Sequence, residues 1–410
     1  PAEETEILWE PGCTYTLPEL RIVNNGNLAL KYKVVVSGIQ GSAKLNEVID
    51  WTMKLDGADF IMGSEHSLAA KNNDTVDFDI FTISGTMDKN AGNEYQNESI
   101  DGISINVYAT QDTVESDSFN NQYDKDAEYP IAVTTGDELQ AIVSNATAPV
   151  NIVLTNSITT NNFVIPADKD VTLDLNGCTV TNAESHTILN KGHLTLTDSS
   201  ADKSGQIISL KGNTAALRNG DNAVCVVEGG TFTRAEAEGN KWHTVENFGT
   251  MTFNGGKVIA EDGQSFAIVN GWNYIPSEQK AIMTINNIDM KAGPNGFKNC
   301  AGGTLTMNDG ILHCTGYWGL SNDSTGVATI NGGEITSDRY IAISDGGAKM
   351  EINGGTFTGP QGSLYVQNYA KETVVKGGSY QNETVEFMKN YCPEGYTATL
   401  NGDKVVVSKN

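Results

Sequence analysis

The sequence predicts an all-β chain in two parts, an antiparallel sandwich followed by a long coil of stacked parallel strands. Three observations carry this. A double-glycine motif recurs through the second part: "VEGGTF" at 227–232, "FNGGKV" at 253–258, "INGGEI" at 330–335, "INGGTFTG" at 352–359 and "VKGGSY" at 375–380. Short apolar stretches end in a recurring Asn or Asp, at Asn190, Asn219, Asn247, Asn270, Asn299, Asn322, Asp345 and Asn368. Residues 1–129 show neither repeat, and their strands alternate apolar with polar residues.

The steps between the Asn positions are 29, 28, 23, 29, 23, 23 and 23 residues. The base period is therefore 23, with short insertions such as "GWNYIPSEQK" at 271–280, which map to loops. Two before the Asn the residue is always apolar: Ile188, Leu217, Val245, Ile268, Phe297, Leu320, Ile343 and Val366. One nearer it is mixed: Leu189, Arg218, Glu246, Val269, Lys298, Ser321, Ser344 and Gln367. That is strand alternation with one face buried. A turn, a second strand such as "MTFN", the two glycines and a third strand such as "TFT" complete the unit. Three short strands and three turns per unit describe one coil of a right-handed parallel β-helix, with coils stacked about 4.8 Å apart. The glycines are read as corners where φ > 0 is cheap only for Gly. The Asn column is read as side-chain amides bonded along the coil axis.

Open coil ends need caps. At the first end, "TTGDELQAIVSNA" (134–146) carries a capping box, Thr135 with Glu138, and an apolar helical face of Leu139, Ile142 and Val143. Residues 150–180 are expected to form the first, irregular coils. At the other end, "FMKNYCPEGYTATLNGDKVVV" breaks the period and reads as a closing hairpin.

Before residue 130 the strands are "KYKVVVSG" (31–38), "TVDFDIFTISG" (75–85) and "ISINVYATQ" (103–111), with Val76, Phe78 and Ile80 on one side and Asp77 and Asp79 on the other. This is an antiparallel sandwich pattern. The net charge of −25 argues against nucleic acid and against an anionic membrane surface. No apolar run is long enough to span a membrane, no signal peptide opens the chain, and "PAEETEILWEPG" reads as a mature or trimmed start. The six cysteines have neither zinc spacing nor the density of a disulfide scaffold; most read as plain thiols, with one or more disulfides as the alternative.

"WEPG" at 9–12, "LRIVNNGNLALKYKV" at 20–34 and "ISINVYATQDTVESDSFNNQYD" at 103–124 resemble the TasA/camelysin-type secreted proteins of Gram-positive bacteria. The resemblance covers most of 1–124. It implies a jelly-roll-like β-sandwich, export to the cell surface, and for some members assembly into biofilm-matrix fibres. Camelysin's metallopeptidase activity does not carry over, because the region has one histidine, His66, and no HExxH. The second part resembles, less specifically, the pectin-lyase-like β-helices of bacterial surface adhesins. The expected domains are thus a sandwich at 1–124, a linker at 125–130, and a β-helix with its caps at 131–410.

Catalysis on a β-helix would need specific groups. A lyase needs a base and a partner for a uronate carboxylate. The β-helix has three arginines, Arg218, Arg234 and Arg339, on an acidic body. A hydrolase needs two carboxylates across a cleft, and the outward column beside the Asn ladder offers only Glu246. His186 and His243 share a register with Phe266, Trp318, Ile341 and Leu364 that alternation turns inward, so they are expected to be buried and satisfied. The acidic group Asp112, Glu115, Asp117, Asp124, Asp126 and Glu128 reads as a solvated linker, with calcium as the alternative.

Three before the Asn the residues are small in seven of the eight coils (Thr187, Ala216, Thr244, Ala267, Gly296, Gly319, Ala342), Tyr365 being the exception, and outward alternation would make them a shallow trough. Trp242, Tyr317 and Tyr340 lie beside it, with Glu246, Lys298 and Gln367 as hydrogen-bonding groups. These six residues are the expected glycan-binding set. The expected function is a secreted cell-surface or matrix adhesin, its first domain for self-assembly or anchoring, its β-helix a stalk or glycan-binding surface. A polysaccharide lyase or hydrolase and a purely structural biofilm component are the alternatives.

Overall fold

The computed structural model describes residues 9–37, 44–72, 75–96, 98, 100, 104–112, 129–235, 242–260, 265–272 and 280–410. The expected linker residues 125–128, the acidic group beyond Asp112, most of the insertion at 271–280 and the extended start at 1–8 lie outside the described residues. The chain forms two compact units, Pro1–Pro130 and Ile131–Asn410.

The second unit is a parallel β-solenoid of about ten turns. Each full coil places one strand in each of three sheets of eleven, twelve and nine strands. In one coil these strands are Thr250–Phe253, Lys257–Ala260 and Phe266–Asn270. Their parallel partners in the next coil are Ala281–Ile285, Asp289–Ala292 and Asn295–Asn299. Inward residues such as Met251, Phe253, Val258 and Ile268 are fully buried and join one apolar core extending from Val133 to Val407. Each such side chain contributes about 1.5–3 kcal/mol on burial. The continuous core is what makes the stack stable although no single coil could be.

The two glycines of each corner answer two different constraints. The second has a left-handed backbone, with φ of +93° at Gly256 and +113° at Gly355. The first lies against the coil beneath: a Cβ on Gly255 would come within 2.7 Å of the Glu228 carbonyl oxygen, and one on Gly354 within 2.6 Å of that of Asn331.

The expected amide column is present and buried. Asn190 donates from Nδ2 to Asn219 Oδ1 at 2.8 Å, and the same bond repeats from Asn219 to Asn247, Asn270, Asn299 and Asn322, then to Asp345 Oδ1 at 2.9 Å. Each amide also donates to a backbone carbonyl of the next coil, as Asn270 does to Thr304. The last coil departs from the expected register. Asp345 pairs with Val366 and Ile343 with Leu364, so Leu364 rather than Val366 faces the core and Asn368 is exposed, outside the ladder. Asp345 ends the column, accepting from Thr373 Oγ1 at 2.6 Å.

A second amide column was not evident from the sequence. The residue before each double glycine or its variant forms an exposed ladder: Asn353 donates to Asn331, Asn331 to Asn308, Asn308 to Asn286, Asn286 to Asn254, and Asn254 to Glu228 Oε1 at 2.7 Å.

Both ends are capped. Helix α1, Gly136–Asn145, covers the first coils with Leu139 and Val143 buried. Thr135 Oγ1 accepts from the Glu138 amide at 3.2 Å, while the Glu138 carboxylate reaches back to the Thr134 amide at 2.9 Å, one residue earlier than a standard capping box. At the far end the strands Tyr396–Asn401 and Lys404–Lys409 form an antiparallel hairpin on the last strand of the second sheet. A short helix α2, Val385–Lys389, not foreseen in the sequence, precedes it with Thr384 as N-cap.

The first unit has two antiparallel sheets. One contains Thr14–Thr16, Leu20–Asn24, Ile49–Leu55, Ala58–Asp59 and Asp77–Met87, and the other contains Leu30–Ser37, Glu65–Leu68 and Ser104–Gln111. Tyr32, Val34, Leu68, Phe81 and Ile83, drawn from both, share one buried cluster. The alternation along 77–87 has the opposite phase to the one expected. Phe81, Ile83 and Met87 face in, while Phe78 is exposed with the Arg21 guanidinium over its ring. Asp79 falls on the inner side because Tyr32, fully buried, donates its hydroxyl to it. Trp9 of the "WEPG" motif lies over Gly85, where a Cβ would sit 2.5 Å from the indole.

Among the described residues no helix is long and apolar enough to cross a membrane. All six cysteines are free thiols.

The two ladders differ in burial and so in energy. Asn270→Ala would leave buried amide groups of Asn247 and Asn299 short of a partner, and should destabilise the unit by about 2–4 kcal/mol. Asn331→Ala, where water replaces the lost amide, should cost less than about 1 kcal/mol. The urea midpoint of each variant checks the difference.

Candidate functional site

The outer column of the third sheet, one residue before the buried ladder, runs in register through Arg218, Glu246, Val269, Lys298, Ser321, Ser344 and Tyr365. It is not an open strand face. Glu246 and Val269 have no exposed surface, and Ser321 and Ser344 are 7% and 3% exposed. Phe248, with the Arg218 guanidinium 4.6 Å from its ring centre, is also buried.

Glu246 is the most constrained group of this face. Its Oε2 accepts from Arg218 Nη1 at 3.0 Å. Its Oε1 is buried and makes no hydrogen bond. Burial raises the carboxyl pKa, against the pull of Arg218, the Trp242 indole and Arg234. The indole N–H is close enough to favour the charged carboxylate, though it makes no full hydrogen bond. Lys298, two coils further on, does not join Glu246. It pairs with Asp323 at 3.2 Å and lies 5.1 Å from the ring centre of Phe266 and 5.5 Å from that of Trp272.

The expected trough is absent as such. Thr187, Ala216, Thr244, Ala267 and Ala342 are fully buried. A Cβ on Gly296 would meet the Gly319 carbonyl at 2.2 Å, and one on Gly319 the Ala342 carbonyl at 3.0 Å. The chain bends at this column, and its side chains aim along the stack at the next coil rather than outward. Small residues are required there by the coil spacing.

The same bend overturns the inward assignment of the register four before the Asn. Phe266 and Trp318 lie outside the core cluster, Phe266 beside Lys298 and Trp318 against Tyr340 at 6.0 Å. Leu364 is in the core because of the shifted last coil. The two histidines are satisfied. Ala215 donates to His186 Nδ1 at 2.8 Å, and His243 Nδ1 bonds Ser265 Oγ at 2.9 Å. Burial, with Arg218 and Arg234 nearby, lowers both to a pKa of about 4, so both are neutral.

Of the six expected site residues, Trp242 and Glu246 come together in one coil. Tyr317 and Tyr340 form an edge-to-face pair at 6.1 Å, with Tyr317 57% exposed. Tyr340 precedes the third-sheet strand Ile341–Gly346, four coils from Glu246, about 19 Å at the usual spacing. Gln367 donates to Ser344 Oγ at 3.2 Å. Sequence reasoning missed Arg234 as a member of this region. Its signal was available: Arg234 pairs with Ser209 in an inward column whose other members are Asn182, Ser209, Ala260, Ala292, Cys314 and Ser337. An arginine among such small residues breaks the pattern.

In the first unit His66 bonds Ser64 Oγ at 2.9 Å and stacks on Phe60. No group of three or more His, Cys, Asp or Glu side chains that could hold a metal occurs among the described residues. No family model, curated protein or solved structure matches the chain.

The pKa of His243 has a stability consequence. The folded value is about 4 and the unfolded value about 6.5, so the unfolded state binds more protons between them. The contribution is present above pH 6.5 and is lost as pH falls toward 4, amounting to about 3 kcal/mol. Stability measured in urea at pH 7, 5.5 and 4 should fall less steeply in His243→Asn than in the parent. The opposite linkage of Glu246 is common to both proteins and cancels in the difference.

Proposed function

We propose that the chain is a glycan-binding surface protein in which the solenoid presents the binding face. The observation that carries this reading is the row of aromatic side chains at the bend before the third sheet, with Trp242 at one end and the Tyr317, Trp318 and Tyr340 group at the other. Aromatic faces beside polar groups suit the mixed apolar and hydroxyl surface of a sugar. The solenoid is read as right-handed, the hand that parallel crossovers take.

The first unit is read as a jelly-roll-like sandwich of the TasA/camelysin type, serving self-assembly or anchoring at a bacterial surface or in its matrix. Its two antiparallel sheets with a shared buried cluster support that reading. A carbohydrate-active enzyme is the second reading, and Glu246 is the observation in its favour, a buried carboxyl with raised pKa. Glycoside hydrolysis asks for a second carboxylate across a cleft. The outer column supplies none beyond Glu246 among the described residues.

The test is retention on insoluble or immobilised polysaccharides. The intact protein should be retained by at least one, and Tyr317→Ala with Tyr340→Ala should weaken retention roughly tenfold, the loss expected when two stacking contacts go, with an unchanged circular dichroism spectrum. New reducing ends or unsaturated products would favour the enzyme. Full retention by the folded double variant would place the sugar site elsewhere.

A further inference from the structure

Buried polar atoms without a hydrogen-bond partner are rare in native proteins, and each one asks for an explanation. In the solenoid the described residues have seven, and six belong to one coil: Arg234 Nε, Nη1 and Nη2, Trp242 Nε1, Thr244 Oγ1 and Glu246 Oε1. The seventh, Trp318 Nε1, lies three coils away. Chance does not gather such atoms, and the cost of burying them unpaired is several kcal/mol in sum. Glu246 has no exposed surface, while Arg234 and Trp242 are half-buried.

We infer that this corner is a built site for a hydroxy-acid group, a carboxylate with a neighbouring hydroxyl, free or carried by a sugar. The donor count sets the class. Among the described residues the Arg234 guanidinium fork and the Thr244 hydroxyl have no acceptor, and the Trp242 indole N–H, which favours the Glu246 carboxylate, makes no full hydrogen bond. The one orphan acceptor, Glu246 Oε1, asks for a donor, which a hydroxyl provides. A guanidinium takes a carboxylate in two parallel bonds. Charge agrees: Arg218 pairs with Glu246 at 3.0 Å, so the one Glu246 carboxylate is shared by two cations and leaves the Arg234 cation only partly compensated among the described residues, inside a chain of net charge −25. A neutral ligand would leave that cation as it is. The site itself stands on the orphan atoms, and only a sugar-borne source for the acid rests on the glycan reading above.

The experiment is a thermal-shift and calorimetric titration of the full chain with glycolate, glucuronate and glucose, repeated on Arg234→Leu. Saturable binding of glycolate or glucuronate, absent for glucose and weakened roughly tenfold or more in Arg234→Leu, supports the site. Glycolate binding identifies a free hydroxy acid as sufficient, and binding of glucuronate alone identifies a sugar-borne one. Arg234→Leu should melt no lower than the parent without ligand, because it removes an unpaired buried charge. If leucine does not fold there, Arg234→Gln replaces it. The inference is overturned if neither acid saturates, if glucose binds as well as glucuronate, or if the arginine variant keeps full affinity. Polysaccharide retention through Tyr317 and Tyr340 with no acid binding would sink this site and leave the glycan reading standing. Acid binding without polysaccharide retention would do the reverse.

Discussion

Each buried ladder asparagine is satisfied only by the coils above and below it. Its amide spans the stacking distance, one atom donating upward and one accepting from beneath, with a backbone carbonyl as third partner. A coil that slipped by one residue would bury an unpaired amide and turn its apolar residue outward at once. The ladder thereby fixes the register at the end of each third-sheet strand, and the rest of the coil is built from that point. Length varies at the corners: the segment between the second and third sheets is long between Arg234 and Val245 and short between Ala292 and Asn295, and the return to the first sheet is long between Asn270 and Ala281 and short between Asn247 and Thr250.

The segment between the second and third sheets is also where chemistry collects. The coil from Thr231 to Asn247 carries the longest such excursion among the described coils, and it is the coil with the inward arginine, the buried glutamate and the neutral histidine. Regular coils have no room for large polar groups, since their inward positions are filled by apolar side chains and their bends by residues without a Cβ or with a small one. The Tyr317 and Tyr340 pair is a different kind of feature, two aromatics on consecutive coils that meet edge to face.

Much of the solenoid was legible because its constraint is one-dimensional. A period of 23, an Asn at each return and a Gly pair at each corner leave few alternatives, and the capping helix around Leu139 and Val143 declares itself by its own periodicity. The orientation at the bends was not legible. Alternation assumes a straight strand, and the chain kinks at Thr244, Ala267 and Gly296, so Phe266 and Trp318 came out on the wrong side. The phase of 77–87 misled for another reason. Phe78 looks like core and Asp79 like surface until Tyr32, a strand of the other sheet away, is known to supply a hydroxyl to the aspartate. Pairing between distant residues of that kind leaves no trace in local pattern. Of the site, Trp242 and Glu246 were found from their columns, whereas Arg234 was passed over because a single exception in a column reads as noise until its unpaired nitrogens are counted.

The two amide ladders point in opposite directions. In the buried one every Nδ2 donates toward the C-terminal coils, and the run ends on the carboxylate of Asp345. In the exposed one every Nδ2 donates toward the N-terminal coils, and the run ends on the carboxylate of Glu228. Amide groups linked head to tail polarise one another, so each ladder is a small dipole whose positive end rests on an anion. Two such dipoles side by side and opposed largely cancel along the solenoid axis. The amide ladders can therefore lengthen coil by coil without accumulating the end-to-end field that a long α-helix builds up.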